Sequence, residues 1–381
     1  MDEQIKNGSK KWWVGGVVVI IIIIIAVIVT PSKKIGTINI GIIGPFTGAR
    51  TEAGNFMKNA LMIAEKEINT SNSKKFKINF IYEDSKYEPP VAVSAYQKLK
   101  NVNLVNYLIG PMGSSEVLAI APLAEKDKTL LITPGSQTDK ISQAGDYIFR
   151  LMHKNSHEIP SFGKLIASQI KDSPLYVISI NTDIAEPYSS GLKSILETNG
   201  STLGVMEKVD PKEVDFKTVL LKLKVQNPKY LLMIATTKQE GLIIKQANDL
   251  GLNISKYFGL GVEGPEIVDI AGKLAEGLLY PYSYDSSSLE KNIIKFKNKY
   301  IETYNKEPDA IAANSYDAAY LISGCLEKVG DNVNLVKQCL YDTRDFEGAG
   351  GKFSIDSNGD AIKEIFIKTI KDGQFIKFNI N

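Results

Sequence analysis

The sequence predicts an α/β protein whose body consists of two lobes, each built around a doubly wound parallel sheet. Short apolar runs typical of buried strands alternate with segments of helical periodicity from residue 37 onward. The alternation restarts after Arg150, which gives two rounds of similar length. Regular β-α-β-α alternation favours parallel strands with helices on both faces of the sheet. An apolar segment at residues 12–30 precedes both rounds and is expected to form a transmembrane helix.

The first round is expected to contain four strands and three helices. The helix at 52–68 is typical, because Met57, Leu61, Ala64 and Ile68 share one helical face. The strands are predicted at 37–43, 76–82, 105–109 and 129–133, and the other helices at 91–99 and 116–125.

The second round repeats this pattern and ends in a different kind of structure. Strands are predicted at 175–180, 202–207, 230–234, 257–259 and 278–284, and helices at 188–197, 216–225, 238–250, 289–304 and 311–329. The tail reads as antiparallel strands at 351–356, 362–370 and 374–378. Turn residues at 357–359 and 372–373 separate these strands.

The apolar N-terminal segment indicates export. Residues 12–30 carry no charge, and their length approaches the roughly 20 residues that span a bilayer as a helix. Lys6, Lys10 and Lys11 precede the segment, which favours a cytoplasmic N-terminus. A retained anchor is favoured over a cleaved signal peptide, because the apolar run is long and lacks an A-x-A-like cleavage site. In either case the body is expected outside the cytoplasm, membrane-anchored or, after cleavage, secreted or periplasmic.

The charge of the chain narrows the classes of molecule that it can be expected to bind. The 381-residue chain has a net charge of +2, and only Arg50, Arg150 and Arg344 are arginines, so nucleic acid is not an expected partner.

Cys325 and Cys339 lie on consecutive predicted helices around a turn at 330–332. An exported compartment permits a disulfide there, and two buried thiols are the alternative.

A cradle of small polar residues is expected where two neighbouring strands end. Ser114 and Ser115 follow the third strand, and Ser136 and Gln137 follow the fourth, with Gly135 beside them. Ligands bind at the carboxyl ends of the strands in parallel α/β sheets. Hydroxyls and free backbone N–H groups at two adjacent strand ends suit a small polar molecule.

Catalytic, metal and nucleotide sites are not supported by any motif. The two histidines, His153 and His157, follow the first lobe directly, and the chain has no G-x-S-x-G elbow. The run at 356–360 lacks the glycine position and the final glutamate of a calcium loop. The glycine-rich turn at 41–48 lacks the nucleotide fingerprints, and we interpret it as lining a cleft. No enzyme activity, cofactor or metal is therefore expected.

Seven phrases along both lobes match a known family in order. They lie at 40–48, 113–115, 130–134, 214–216, 244–252, 270–279 and 314–319. In these phrases the chain resembles the type I periplasmic binding proteins of the branched-chain amino-acid (Leu/Ile/Val) transport family. The match covers nearly the whole part of the chain that is expected to be exported, from about residue 37 to residue 378.

The resemblance implies a fold, a division into lobes and a function. Two Rossmann-like lobes joined by a three-strand hinge would close on an amino acid and deliver it to ABC permease subunits. The first lobe would comprise residues 36–152 and 283–350, and the second residues 153–282 and 351–381. Residues 1–35 would form the cytoplasmic stub, the transmembrane segment and the tether.

The resemblance also implies ligand-binding residues. Ser114, with Ser115 beside it, Gly135 and Gln137 would hold the α-amino and α-carboxylate groups from the first lobe. Tyr188 would close over the ligand from the second lobe, and Glu263 would accept the ammonium. Both charges of a zwitterion must be matched when it leaves water.

Several positions depart from the family pattern. Ser136 followed by Gln137 stands where the family has a small residue and threonine. Ala53 replaces an aromatic of the glycine-rich loop, and Thr236 stands at the second lobe's second aromatic position. Because two aromatics are lost, the expected ligand is a small amino acid or a related polar amide rather than leucine.

A membrane-tethered sensor ectodomain of the same fold is the alternative function. Only eleven residues precede the apolar segment, too few for a cytoplasmic signalling domain, so a partner would have to carry the signal. Transport is therefore the favoured interpretation.

Overall fold

The computed structural model describes residues 36–48, 50–70, 75–170, 173–180, 185–261 and 263–379. The predicted membrane segment at residues 12–30 lies outside these ranges. Among the residues that are described, no helix is long and apolar enough to cross a membrane.

The first lobe is built on a parallel sheet of five strands in the described region. The strands are β1 (Gly36–Gly44), β2 (Phe76–Asp84), β3 (Tyr107–Ile109), β4 (Leu130–Thr133) and β5 (Ile148–Arg150), and the helices are α1 (Thr51–Thr70), α2 (Pro89–Asn101) and α3 (Ser114–Lys126). The strand order in the sheet is β2-β1-β3-β4-β5. Successive residues of a strand face opposite sides of the sheet, so on β3 Ile109 packs into one core and Leu108 into the other.

The second lobe contains a mixed sheet of seven described strands. They are β6 (Leu175–Ile180), β7 (Leu203–Val209), β8 (Tyr230–Ile234), β9 (Lys256–Gly259), β10 (Leu279–Tyr282), β14 (Phe366–Lys371) and β15 (Gln374–Lys377). Their order in the sheet is β15-β14-β10-β9-β8-β6-β7. The strands β6 to β10 are parallel, and β14 and β15 form an antiparallel hairpin on β10. The helices are α4 (Asn155–Gln169), α5 (Ala185–Thr198), α6 (Lys217–Lys224), α7 (Thr237–Asp249) and α8 (Pro265–Ala271).

Three helices and a small antiparallel sheet return the chain to the first lobe. Residues of these elements, such as Phe296 and Phe353, are buried in the same core as β1. The expected lobe boundary between residues 350 and 351 therefore falls inside this small sheet. The elements are α9 (Lys291–Tyr304), α10 (Ala310–Val329), α11 (Val333–Tyr341), β11 (Phe346–Gly348), β12 (Gly351–Ile355) and β13 (Ala361–Ile362).

The structure settles the cysteine alternative in favour of a disulfide. Cys325 on α10 and Cys339 on α11 are bonded, with Cα atoms 5.8 Å apart. The bond joins the two helices across the turn at residues 330–332.

The chain crosses between the lobes at three places, and a buried ion pair joins two of them. The crossings lie between β5 and α4, between β10 and α9, and between β13 and β14. Arg150, at the end of β5, donates from Nε and Nη2 to Oδ1 of Asp360, at 3.0 and 2.6 Å. Lys154 Nζ lies 3.3 Å from Asp360 Oδ2. The first and third crossings are therefore held together by charge.

Two α-helices among the described residues were not predicted from the sequence. Helix α4 contains Pro160 and Gly163, which obscure the apolar spacing of Ile159, Phe162 and Ile166. Helix α8 has seven residues and begins at Pro265, a favoured first helical position. Most of the remaining elements agree with the prediction within a few residues. The strands β5 and β11 were not predicted, so the first-lobe sheet has five described strands rather than four. The expected strand at 362–370 is divided between β13 and β14.

Candidate functional site

A cavity of about 480 Å³ lies between the two lobes. It sits at the carboxyl ends of the strands, and the first turns of helices α1, α3, α7, α8 and α10 reach it. Backbone N–H groups without intrahelical partners point outward at such helix starts. The lining contains both charges: the cations are Arg50 and Lys238, and the acids are Glu52, Glu263, Glu266 and Asp309.

On the first-lobe side, the cavity wall includes three of the predicted cradle residues. Ser114 is the first residue of α3, and Gly135 and Gln137 follow β4. A Cβ on Gly135 would lie 2.8 Å from Ile311 Cδ1 and 3.0 Å from the Met112 carbonyl oxygen, so only glycine fits there without a shift. The two strand ends thus meet at one wall, as the sequence predicts.

The Gln137 side chain is part of a row of polar side-chain contacts that leads toward the second lobe. Its Nε2 lies 3.0 Å from His153 Nε2, which lies 2.5 Å from Glu158 Oε2 on α4. The imidazole of His153 and the carboxylate of Glu158 are almost fully buried. The protein therefore fixes the amide of Gln137, which limits how that amide can meet a ligand.

Three predicted residues lie elsewhere. Ser115 points to solvent on α3, and Ser136 is buried, 3.0 Å from Thr133 Oγ1 and 3.3 Å from the Met112 carbonyl oxygen. Tyr188 is fully buried in the core of the second lobe, on the inward face of α5. Burial, with Glu158 nearby, raises the pKa of its hydroxyl well above the ordinary range. None of the three lines the cavity.

On the second-lobe side, the wall contains Thr236 and Glu263. Thr236 is the N-cap of α7, where its hydroxyl accepts a hydrogen bond from the backbone N–H of Gln239. The Glu263 carboxylate accepts a hydrogen bond from the Tyr280 hydroxyl at 2.9 Å, and the ammonium of Lys368 contacts the same oxygen. Burial raises the pKa of Glu263, and Lys368 opposes that rise. The carboxylate is therefore anchored from behind at the cavity wall.

The structure adds cavity residues that the sequence reasoning did not single out. Arg50 and Lys238 are cationic, Tyr87 and Tyr282 are aromatic, and Asp309 is acidic. Asp309 caps α10 by accepting a hydrogen bond from the Ala312 N–H at 2.8 Å, and burial raises the pKa of its carboxyl to about 7. Gly48, at the end of the glycine-rich turn, lines the cavity beside Arg50. The interpretation of this turn as lining a cleft could therefore have indicated Arg50 as a cavity residue.

A buried acid behind the second-lobe wall makes stability depend on pH. Glu240 Oε1 accepts hydrogen bonds from the backbone N–H groups of Leu260 and Gly261, at 3.0 and 2.9 Å, while Oε2 has no partner among the described residues. Burial raises the pKa of Glu240 from 4.5 to about 8. Between these values the folded chain keeps a proton that the unfolded chain loses, so the stability from this group falls as pH rises.

We expect Glu240→Gln to remove this dependence. Relative to the variant, the wild type should lose about 2 kcal/mol of unfolding free energy between pH 6 and 7.5, since each pH unit contributes about 1.4 kcal/mol at full slope. Urea unfolding curves at both values measure the difference. Glu302→Gln, at an exposed acid on α9, is the matched control and should follow the wild type. A wild type and a Glu240→Gln variant with parallel pH profiles would refute the assignment.

Known proteins share this architecture and sequence. The chain matches the periplasmic binding protein family over residues 37–374. It is 28% identical over 333 residues to the leucine-, isoleucine-, valine-, threonine- and alanine-binding protein of Pseudomonas aeruginosa, covering 85% of this chain and 87% of the relative. It is 25% identical over 262 residues to the leucine-specific-binding protein of Salmonella typhimurium, covering 68% and 71%.

Solved structures show the same fold with different ligands. The crystal structure of the leucine binding protein LivK of Thermotoga maritima superposes with a TM-score of 0.83 at 25% identity, covering 90% of this chain and 98% of that one. A solute binding protein of an ABC transporter from Rhodopseudomonas palustris, in complex with 3,4-dihydroxy benzoic acid, has a TM-score of 0.82 at 23% identity, covering 90% and 96%. The fold alone does not choose the ligand. The chain belongs to the periplasmic binding protein family.

Proposed function

We propose that the chain is an extracytoplasmic solute-binding protein that captures a small amino acid, or a related polar amide, by closing its lobes. It would deliver the ligand to the permease subunits of an ABC-type importer and would perform no chemistry on it. The cavity between the lobes carries this proposal, because hydroxyl and helix-start groups stand on one wall and an anchored carboxylate on the other. The relatives named for amino-acid binding support it.

The two walls suit the two charges of an amino acid. Ser114 and the N-terminus of α3 would bind the α-carboxylate, because hydroxyls and free N–H groups donate to anions. Glu263 would accept the ammonium from the second lobe, with Thr236 beside it. Gly135 leaves room at the first wall, and the fixed amide of Gln137 would restrict the shape of the ligand. Ser136 would support the first wall from behind.

Closure of the two lobes follows from this arrangement. A ligand that contacts both walls stabilises the closed state more than the open one, and this difference shifts the equilibrium. The three crossings between the lobes are where the chain would bend. Residues 12–30 would hold the protein at the membrane beside its importer.

A stability screen of the full chain tests the proposal. The protein, kept in a mild detergent because of its apolar N-terminal segment, is unfolded thermally in the presence of each common amino acid and of small polar amides. At least one should stabilise the fold, by about 2.7 kcal/mol at a hundredfold excess over its Kd. If none of the amino acids and amides stabilises the fold, the proposal is refuted.

Two adjacent serines provide a matched test of the first wall. Ser114→Ala should weaken the best ligand about tenfold, because a hydrogen bond to a charged group is lost. Ser115→Ala removes an exposed hydroxyl one residue away and should leave the affinity within about twofold. Calorimetric titration measures both affinities. Equal effects of the two changes would show that Ser114 has no special role.

A further inference from the structure

Arg50 brings a positive charge to the cavity, and no ion pair of its guanidinium is found among the described residues. It lies in the loop between β1 and α1, with its Cζ atom 5.4 Å from the centre of the Tyr87 ring. Its Nε is buried and has no hydrogen-bond partner among the described residues. A buried donor of a charged group is costly without a partner, so this guanidinium calls for an anion.

Lys238 brings a second cation from the opposite lobe. It is the second residue of α7 and lines the same cavity. Lys238 is exposed and lowers the pKa of Glu266, but within the described part of the chain its ammonium group is in no hydrogen bond or ion pair. The cavity therefore places one cation on each side of the cleft.

The acids of the cavity do not neutralise these cations directly. Glu52 pairs with Lys306 at 3.6 Å, Glu263 is held by Lys368, and Asp309 caps α10. Glu266 has neither cation in ion-pair contact, although both are near enough to affect it. Burial and Glu52 raise the pKa of its carboxyl, and Lys238 and then Arg50 oppose that rise. Two buried acids outside the cavity lining, Glu116 and Glu240, are also near enough for Arg50 to lower their pKa. Among the described residues, no carboxylate lies in ion-pair contact with either cation, so an anion in the cavity could pair with both.

We propose that Arg50, with Lys238 across the cleft, binds an anionic side chain of the ligand, so that the preferred ligands are acidic amino acids. This inference rests on the proposed function and narrows it. The α-carboxylate and the ammonium occupy Ser114 and Glu263, and the second carboxylate meets the two cations. A guanidinium suits this role because its planar donors match a carboxylate in two parallel hydrogen bonds.

Acid and amide pairs of ligands test the inference on the full chain. Glutamate is compared with glutamine, and aspartate with asparagine, because each pair differs only in the charged group. The wild type should bind one acid at least about tenfold more tightly than its amide, the effect of one charge-assisted hydrogen bond or more. Leucine serves as the apolar reference. Calorimetric titration gives each affinity.

Arg50→Gln should lower the acid-to-amide affinity ratio about 10- to 100-fold, and Arg50→Lys should lower it less, because a point charge replaces the planar donors. Lys238→Gln, on the other lobe, should also lower the acid-to-amide affinity ratio. This variant provides the test if the Arg50 variants do not fold. Melting temperatures identify the folded variants.

The outcomes separate this inference from the proposed function. A wild type that binds leucine or an amide most tightly overturns the inference and leaves amino-acid capture standing. The inference is also overturned if Arg50→Gln weakens the binding of the acid and of its amide equally. That result would indicate that Arg50 stabilises the closed lobes by its attraction to Glu266 and does not bind the side chain of the ligand. If no amino acid binds, both proposals fall.

Discussion

Asp360→Ala is expected to lower the free energy of unfolding by about 3–5 kcal/mol, because it leaves the fully buried Arg150 guanidinium without its counter-ion. Three other groups around the pair cannot replace the lost carboxylate. Arg150 Nη1 and Nη2 donate to the Thr138 carbonyl and the Ser142 hydroxyl, at 2.6 and 2.8 Å, and Lys154 adds another positive charge. Urea unfolding of the full chain measures the change.

The matched control for this variant is an aspartate whose ion pair is exposed. Asp345 lies 3.1 Å from Lys352 Nζ, with side chains 75% and 53% exposed. Asp345→Ala should cost no more than about 1 kcal/mol, the usual limit for a surface pair. If Asp360→Ala costs as little as Asp345→Ala, the crossings between the lobes are not held by charge.

Glu263→Ala is expected to destabilise the protein by a similar amount and to weaken ligand binding. Lys368 is 1% exposed, and removal of its carboxylate partner leaves a buried ammonium, at a cost of about 3–5 kcal/mol. Binding should weaken about 10- to 100-fold, because the ammonium of the ligand loses a charged acceptor. Urea unfolding and calorimetric titration measure the two effects.

A second variant separates stability from binding at this position. Glu263→Ala combined with Lys368→Met removes both charges, and such replacements by apolar groups are often neutral in stability. The double variant should regain most of the lost unfolding free energy but none of the lost affinity. Recovery of both would assign Glu263 to the fold alone and exclude it as the ammonium acceptor.

The fold could be predicted from the sequence because its signal is local and repeated. Strands such as β6 and β8 agree with the prediction to the residue, since continuous apolar runs bounded by polar residues identify buried strands. Helix α4 escaped prediction because Pro160 interrupts its pattern, and burial in the second-lobe core outweighs the low propensity.

The candidate site could be predicted only where neighbouring strand ends create it. Ser114, Gly135 and Gln137 follow adjacent strands, so sheet topology alone brings them together. Arg50 and Lys238 come from loops and helix starts of different lobes, and no local pattern links them.

The ligand-binding role that the family resemblance implies for Tyr188 does not agree with the position of its side chain. Helix α5 begins at Ala185, so Tyr188 lies one turn inside the helix and faces the core. The identity of a residue in a loop motif does not fix the direction of its side chain.

We propose above all that the cavity binds an amino acid through both of its α-groups. The most direct measurement is a calorimetric titration of the full chain with the best amino acid, its α-carboxamide and its N-acetyl derivative. Each derivative removes one charge and leaves the side chain intact. We predict that both derivatives bind at least about 100-fold more weakly, because each leaves a charged or polar wall unpaired. Affinities within about threefold of the parent amino acid for either derivative would contradict the account.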